Sequence, residues 1–262
     1  MYHIGIISYI LHEIFCTLNK VLMFKTQLLL YCNSFLLLSL TYIFLIFFYR
    51  YNGSRFVFNK WTLIKGIDNV LISLLYQKLI VPNTNIFHSS IMFYGTGFML
   101  TICLMFLQIE EYNMKKLISA LINVLICLYI CSNMLYVFIP YMILLNCSNI
   151  MLKNILFKED VLYSSFFISL IICLFFPVFN GEMIIYSKNI LLNKTVLLYI
   201  FGYLLIYSMS RITYFISFKY NKSHYLSFFK IVGLIILYIL GSKPISLSLL
   251  VTFLLINSIS FI

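Results

Sequence analysis

Residues 28–48 read LLLYCNSFLLLSLTYIFLIFF, twenty-one positions without a charge. At 1.5 Å per helical residue they extend about 31 Å, the thickness of a bilayer's hydrocarbon core. The same spacing of charges predicts apolar helices over 86–107, 161–179 and 195–218. Another covers 231–262, where Ser242-Lys243-Pro244 marks either a kink or a tight hairpin. From 117 to 152 no residue is charged. One helix of that length would run about 54 Å, so it is either tilted and protruding or it turns near 131–133 or Pro140 and crosses twice. A shorter patch over 69–81, broken by Lys78 and ended by Pro82, reads as a re-entrant segment or a short span. The expected fold class is all-α, a polytopic transmembrane helical bundle of six to eight spans. The strict alternation that a membrane β-barrel requires is absent.

The first residues follow a different pattern. Ile7, Ile10, Leu11, Ile14, Phe15 and Leu18 recur at the spacing of one helical face, while Ser8, His12, Thr17 and Asn19 fall elsewhere. This predicts an N-terminal amphipathic helix lying in the headgroup plane, with a first span as the alternative. A basic start and a small-residue cleavage site are both missing, so the segment is not a signal peptide. The expected organisation is an amphipathic segment over 1–26 and one multi-span membrane domain over 27–262. The stretch 49–68, YRYNGSRFVFNKWTLIKGID, reads as a basic, aromatic interfacial loop.

Composition agrees with the pattern. The chain is 63% hydrophobic and 10% charged, with a mean hydropathy of +1.04, against about 45–50% and 25% for soluble domains. So few charges cannot coat a surface that faces water. One alanine and three arginines against 26 Phe and 21 Tyr match coding by a very AT-rich genome, which drains aromatic abundance of functional meaning. The scarcity of Gly and Ala removes most small-xxx-small packing signals.

The net charge of +11 is scattered as single or paired basic residues between apolar runs. That suits span-flanking anchors; nucleic acid is not an expected partner. Assuming six spans, the loops on the side of the N-terminus hold Lys20, Lys25, Lys115, Lys116, Lys188 and Lys194. The other side holds ten basic residues, among them Lys65 and Lys230, and would face the cytosol.

Arg211 is the outlier, because it sits inside apolar sequence rather than at its edge. A guanidinium in a bilayer costs on the order of 3 kcal/mol, and such groups mark function. It would bind an anion such as a lipid phosphate and would not act as a base. The competing reading is an anchor that snorkels toward the Lys219 side. Tyr203, Tyr207 and Tyr214 lie on or near its helical face, within hydrogen-bonding reach. Glu182, after Asn180-Gly181, and His88, beside Ser89 and Ser90, complete the candidate substrate-binding set. The pairs Glu110-Glu111 and Glu159-Asp160 stand at span ends as solvated caps. No metal site or cofactor is expected, and the cysteines read as inert buried thiols. Walker A, HExxH, GxSxG and clustered-aspartate patterns are all missing.

Three classes of function are compatible with this. The first is a multi-pass protein of the endoplasmic reticulum or another endomembrane, acting in lipid or glycolipid metabolism as an enzyme or a non-catalytic subunit. The second is a passive small-solute carrier, channel or permease subunit. The third is a receptor or assembly scaffold. Membrane lipids and other membrane subunits are the expected partners.

Overall fold

The computed structural model describes residues 2–25, 27–154, 159–180, 194–220, 223–239 and 246–258. Among them are helices and their connections, and no strand. The chain is all-helical. In order, the helices are α1 (Tyr2–Lys25), α2 (Gln27–Tyr51), α3 (Lys60–Leu75), α4 (Ile86–Phe106) and α5 (Met114–Ile130). They continue as α6 (Leu135–Asn154), α7 (Glu159–Asn180), α8 (Lys194–Tyr220), α9 (Ser223–Ile239) and α10 (Leu247–Ser258). A π-helical turn, Tyr76–Ile80, prolongs α3 into the short Val81–Asn83 segment.

Helix ends follow local chemistry. α2 stops where Gly53 takes φ +87°, letting Ser54 N donate to the Tyr49 carbonyl. α3 starts on a capping box: the Asn59 side chain accepts from Trp61 and Thr62 backbone N–H groups, and Thr62 Oγ1 accepts from Asn59 N. Asn85 and Asn113 cap α4 and α5 more simply, each side chain accepting from one backbone N–H, that of His88 and that of Lys116. The expected interfacial loop therefore shrinks to the few residues before Lys60, because a capped helix claims the rest. Its outward face carries Leu63, Ile64, Ile67 and Leu71, and its inward face carries Lys65, Asp68, Asn69 and Ser73.

Two reversals settle the long apolar runs. After Cys131 a single 3₁₀ turn, Ser132–Met134, separates α5 from α6. Cys131 Sγ reaches the His88 carbonyl, Cys127 and Phe138 both face Gly95, and Lys153 meets Glu110. α5 therefore descends along α4 and α6 returns beside it. The run 117–152 is a hairpin that turns at the first of the two places expected, not at Pro140, which sits inside α6. Likewise Lys230 of α9 and Asn257 of α10 reach the adjacent residues Phe93 and Tyr94, so α10 doubles back.

Two apolar clusters organise the packing. One joins α4, α5, α6, α9 and α10 around Tyr94, Phe98, Phe138 and Phe253. The other joins α2, α7 and α8 around Leu38, Tyr42, Phe166 and Phe215, with Tyr9 of α1 in it. α3 locks onto α7 through Gly66. A Cβ there would lie 2.6 Å from Ile168 Cγ2, and Ser169 Oγ donates to the Gly66 carbonyl at 2.9 Å.

Polarity runs outward-apolar and inward-polar. Ile7 is 57% exposed and Leu11 and Leu18 also face outward, whereas His12, Glu13 and Lys20 are 5%, 2% and 5% exposed. α1 packs along α8 and α9, so the helix expected to lie on a surface over 1–26 is instead packed among the other helices. It is amphipathic, but its polar stripe points into the protein.

Among the described residues two helices, Ile86–Phe106 and Ser132–Lys153, are long and apolar enough to cross a bilayer, and Leu37–Tyr51, Phe229–Ile239 and Leu247–Ser258 are shorter apolar helices. That is fewer than the six to eight expected. α1, α3 and α8 carry charged residues among their apolar ones, and parts of α2, α7 and α8 lie outside the residues whose side chains are described.

Candidate functional site

Between the two apolar clusters lies a cavity of about 100 Å³. A single water needs on the order of 10–15 Å³ of such space, so it holds several waters or one phosphate-sized group. Each wall is a helical stripe. α1 supplies His12, Cys16, Asn19 and Lys20, at i, i+4, i+7 and i+8. α3 and its π turn supply Lys65, Asn69, Ser73 and Gln77, each four residues beyond the last. Tyr141, Ser148 and Asn149 come from α6, and Tyr207, Arg211 and Tyr214 from α8. Phe93 of α4 and Lys230 of α9 close the ring.

Its electrostatics are one-sided. Lys20, Lys65, Lys230 and Arg211 all line the space, and no carboxylate does. Lys65 has its counter-charge behind the wall: Nζ lies 3.0 Å from Asp68 Oδ2 and also donates to Ser148 Oγ. The other three have no carboxylate within ion-pair distance among the described residues. Lys230 Nζ donates to the Phe93 carbonyl at 2.6 Å, and Lys20 and Lys230 sit 4.4 and 4.1 Å from the Phe93 ring centre. Arg211 is oriented by neutral groups. Nε and Nη2 donate to Tyr207 Oη at 3.1 and 2.8 Å, and Nη2 to Ser73 Oγ at 3.2 Å. Its remaining nitrogen, Nη1, makes no hydrogen bond among the described residues, which leaves two N–H donors for a ligand.

His12 is held by α8, its Nδ1 donating to the Ser210 carbonyl at 2.9 Å. A carbonyl only accepts, so the proton of the neutral ring is on Nδ1 and Nε2 is an acceptor. Nε2 has no hydrogen-bond partner and faces Glu13 Oε1 at 3.8 Å.

Of the sequence candidates, Arg211, Tyr207 and Tyr214 meet at this cavity. Tyr203 stands just behind, stacked on Tyr207 at 5.4 Å and accepting from the Gln77 amide at 2.9 Å. His88 lies elsewhere, its Nδ1 2.8 Å from Asn85 Oδ1 at the start of α4. Glu182 lies outside the described residues. Sequence reasoning treated Lys20, Lys65 and Lys230 as loop lysines on opposite sides of a membrane. Here all three are buried and converge, so they carry no information about loops and the six-against-ten charge balance loses them. The signal for Lys20 and Lys65 lies in the three- and four-residue recurrence of polar residues along 12–20 and 65–77; Lys230 has no such signal.

The end-of-span acids hold helix ends, through Glu110–Lys153 at 3.0 Å and Glu159–Lys219 at 3.2 Å. Among the described residues no group of three or more His, Cys, Asp or Glu is placed to hold a metal ion. No protein-family model, curated protein or solved structure matches the chain.

Proposed function

We propose that the chain is a multi-pass endomembrane protein that receives the anionic, phosphate-bearing head group of a lipid or glycolipid in its central cavity, as part of lipid metabolism. The membrane reading rests on the reversal of polarity. Ile7, Phe47, Leu125, Tyr129, Leu198, Phe201 and Leu255 face outward while three lysines, an aspartate, a glutamate and many amides are interior. That is the arrangement hydrocarbon selects and water penalises.

One observation carries the ligand reading: Lys20, Lys230 and Arg211 line one cavity with no carboxylate in its lining, and among the described residues none of the three has an acid within ion-pair distance. Each desolvated charge costs several kcal/mol unless it is compensated. A phosphate supplies that compensation and suits the unused Arg211 donors. The space admits a head group and not a whole lipid, so acyl chains would remain outside among the apolar helix faces.

The test compares wild type with Arg211→Leu, both purified in mild detergent, by native mass spectrometry. Wild type should retain phosphate-bearing lipid and the variant should lose it, at equal expression and equal resistance to alkaline carbonate extraction. Equal lipid in both would sink the head-group reading. Retention of free phosphate but no lipid would point to a small-anion carrier instead.

A further inference from the structure

Behind the Phe93 ring is a second, smaller pocket. It is lined by Glu13, Ser90, Tyr94 and Gly233 together with Lys20 and Lys230, which also line the main cavity. The two lysines are therefore shared between the anion cavity and one buried carboxylate. Glu13 is 2% exposed, and its Oε1 accepts no hydrogen bond. It is pressed against α9 where Gly233 leaves no room for a Cβ, which would lie 2.8 Å from Thr17 Oγ1 and 3.1 Å from Glu13 Oε2. Thr17 is itself buried, so the carboxylate has little freedom to move toward water.

The charged and titratable groups around Glu13 come from every helix that packs on it. α1 gives Tyr9, His12, Cys16 and Lys20, α4 gives Tyr94, α8 gives Tyr214, and α9 gives Lys230. Lys20 and Lys230 are the basic groups that act on Glu13, and Glu110, which reaches Tyr9, is the other carboxylate on that side. Glu13 is the carboxylate that shares this second pocket with Lys20 and Lys230, beyond ion-pair distance of either.

We infer that anion binding is coupled to proton uptake at Glu13. This rests on the reading of the main cavity as an anion site. An anion that engages Lys20 and Lys230 competes with Glu13 for the same positive charge. Two negative charges facing one lysine pair in a buried, water-poor space repel strongly. The repulsion is relieved when the carboxylate takes one proton from bulk water and becomes the neutral acid, so one negative charge enters as one is cancelled. His12 Nε2, an acceptor 3.8 Å from Glu13 Oε1, is the polar atom that acid would face, at a distance that must shorten before a hydrogen bond forms. Linkage then requires that acid strengthen anion binding as much as the anion strengthens protonation.

Sulfate is the appropriate probe, because unlike phosphate it does not titrate near neutrality. Full-length protein in detergent is titrated with sulfate by calorimetry in two buffers of different ionisation enthalpy, which yields the protons taken up per sulfate. The expected result approaches one proton, with affinity falling about tenfold per pH unit over the range where uptake is complete. Glu13→Gln should bind sulfate with no proton uptake and a flat pH profile. Sulfate binding without proton uptake in the wild type would overturn the coupling and leave the anion site standing. Proton uptake that persists unchanged in Glu13→Gln would overturn the assignment to Glu13. No sulfate or phosphate-lipid binding at any pH would overturn the anion site, and the coupling with it. The wild-type measurement decides the question even if the variant does not fold.

Discussion

Arg211 and Tyr207 are one helical turn apart on α8 and joined twice, through Nε at 3.1 Å and Nη2 at 2.8 Å to a single phenol oxygen. The hydroxyl also lies 3.1 Å from Ser73 Oγ, so α3 and α8 together fix the plane of the guanidinium. The pair answers the question posed by an arginine inside apolar sequence: it turns inward rather than reaching for an interface.

Removing the phenol oxygen should free that plane. Tyr207→Phe keeps the ring and loses an acceptor for a charged donor, a loss of about 1.5–3 kcal/mol or roughly tenfold or more in anion affinity. Sulfate calorimetry on the purified variant measures it, and unchanged affinity would show that Tyr207 does not orient Arg211. Arg211→Leu should abolish binding outright.

Asp68 should affect stability and binding in opposite directions. It is the carboxylate paired with buried Lys65. Asp68→Asn leaves that ammonium uncompensated, which costs about 3–5 kcal/mol when a buried pair is broken. The same change makes the cavity more positive, so sulfate should bind more tightly while Tm falls. A tighter-binding variant of unchanged Tm would contradict the pairing.

The contact between α3 and α7 depends on a missing side chain. Gly66→Val would drive carbon into Ile168 and the Ser165 carbonyl. Overpacking of this kind costs about 1–3 kcal/mol. Thermal unfolding in detergent should show the loss, and Gly53→Ala, where nothing lies within 4 Å but φ is +87°, provides a strain-only comparison.

The α3 cap should contribute measurably. Asn59→Ala removes the acceptor for two backbone N–H groups and should cost about 1 kcal/mol. An unchanged Tm would mean that the first turn of α3 frays without consequence.

The helical class could be read from the sequence because charge-free runs speak directly about length. Reversals inside those runs could only be narrowed to 131–133 or Pro140, because Cys131 to Met134 contains neither glycine nor proline and the contacts to His88 and Gly95 are what choose between them. Arg211 stood out because its neighbours are apolar. Lys20, Lys65 and Lys230 were hidden because each lies near a polar stretch that looks like an ordinary boundary. Hydropathy sums over a window, whereas burial depends on angle around a helix, and α3 shows the difference. Leu63, Ile64 and Ile67 on one side and Lys65, Asp68 and Asn69 on the other average to a bland loop.

The bond from His12 to the Ser210 carbonyl spans 198 positions of chain. A ribosome adding roughly 5–20 residues per second would emit α1 many seconds before α8 exists to receive it. During that interval a helix bearing a histidine, a glutamate and a lysine lacks the α8 and α9 faces along which it packs. The docking of α1 must wait for those two helices, which makes their arrival the step that seats the first helix among its partners.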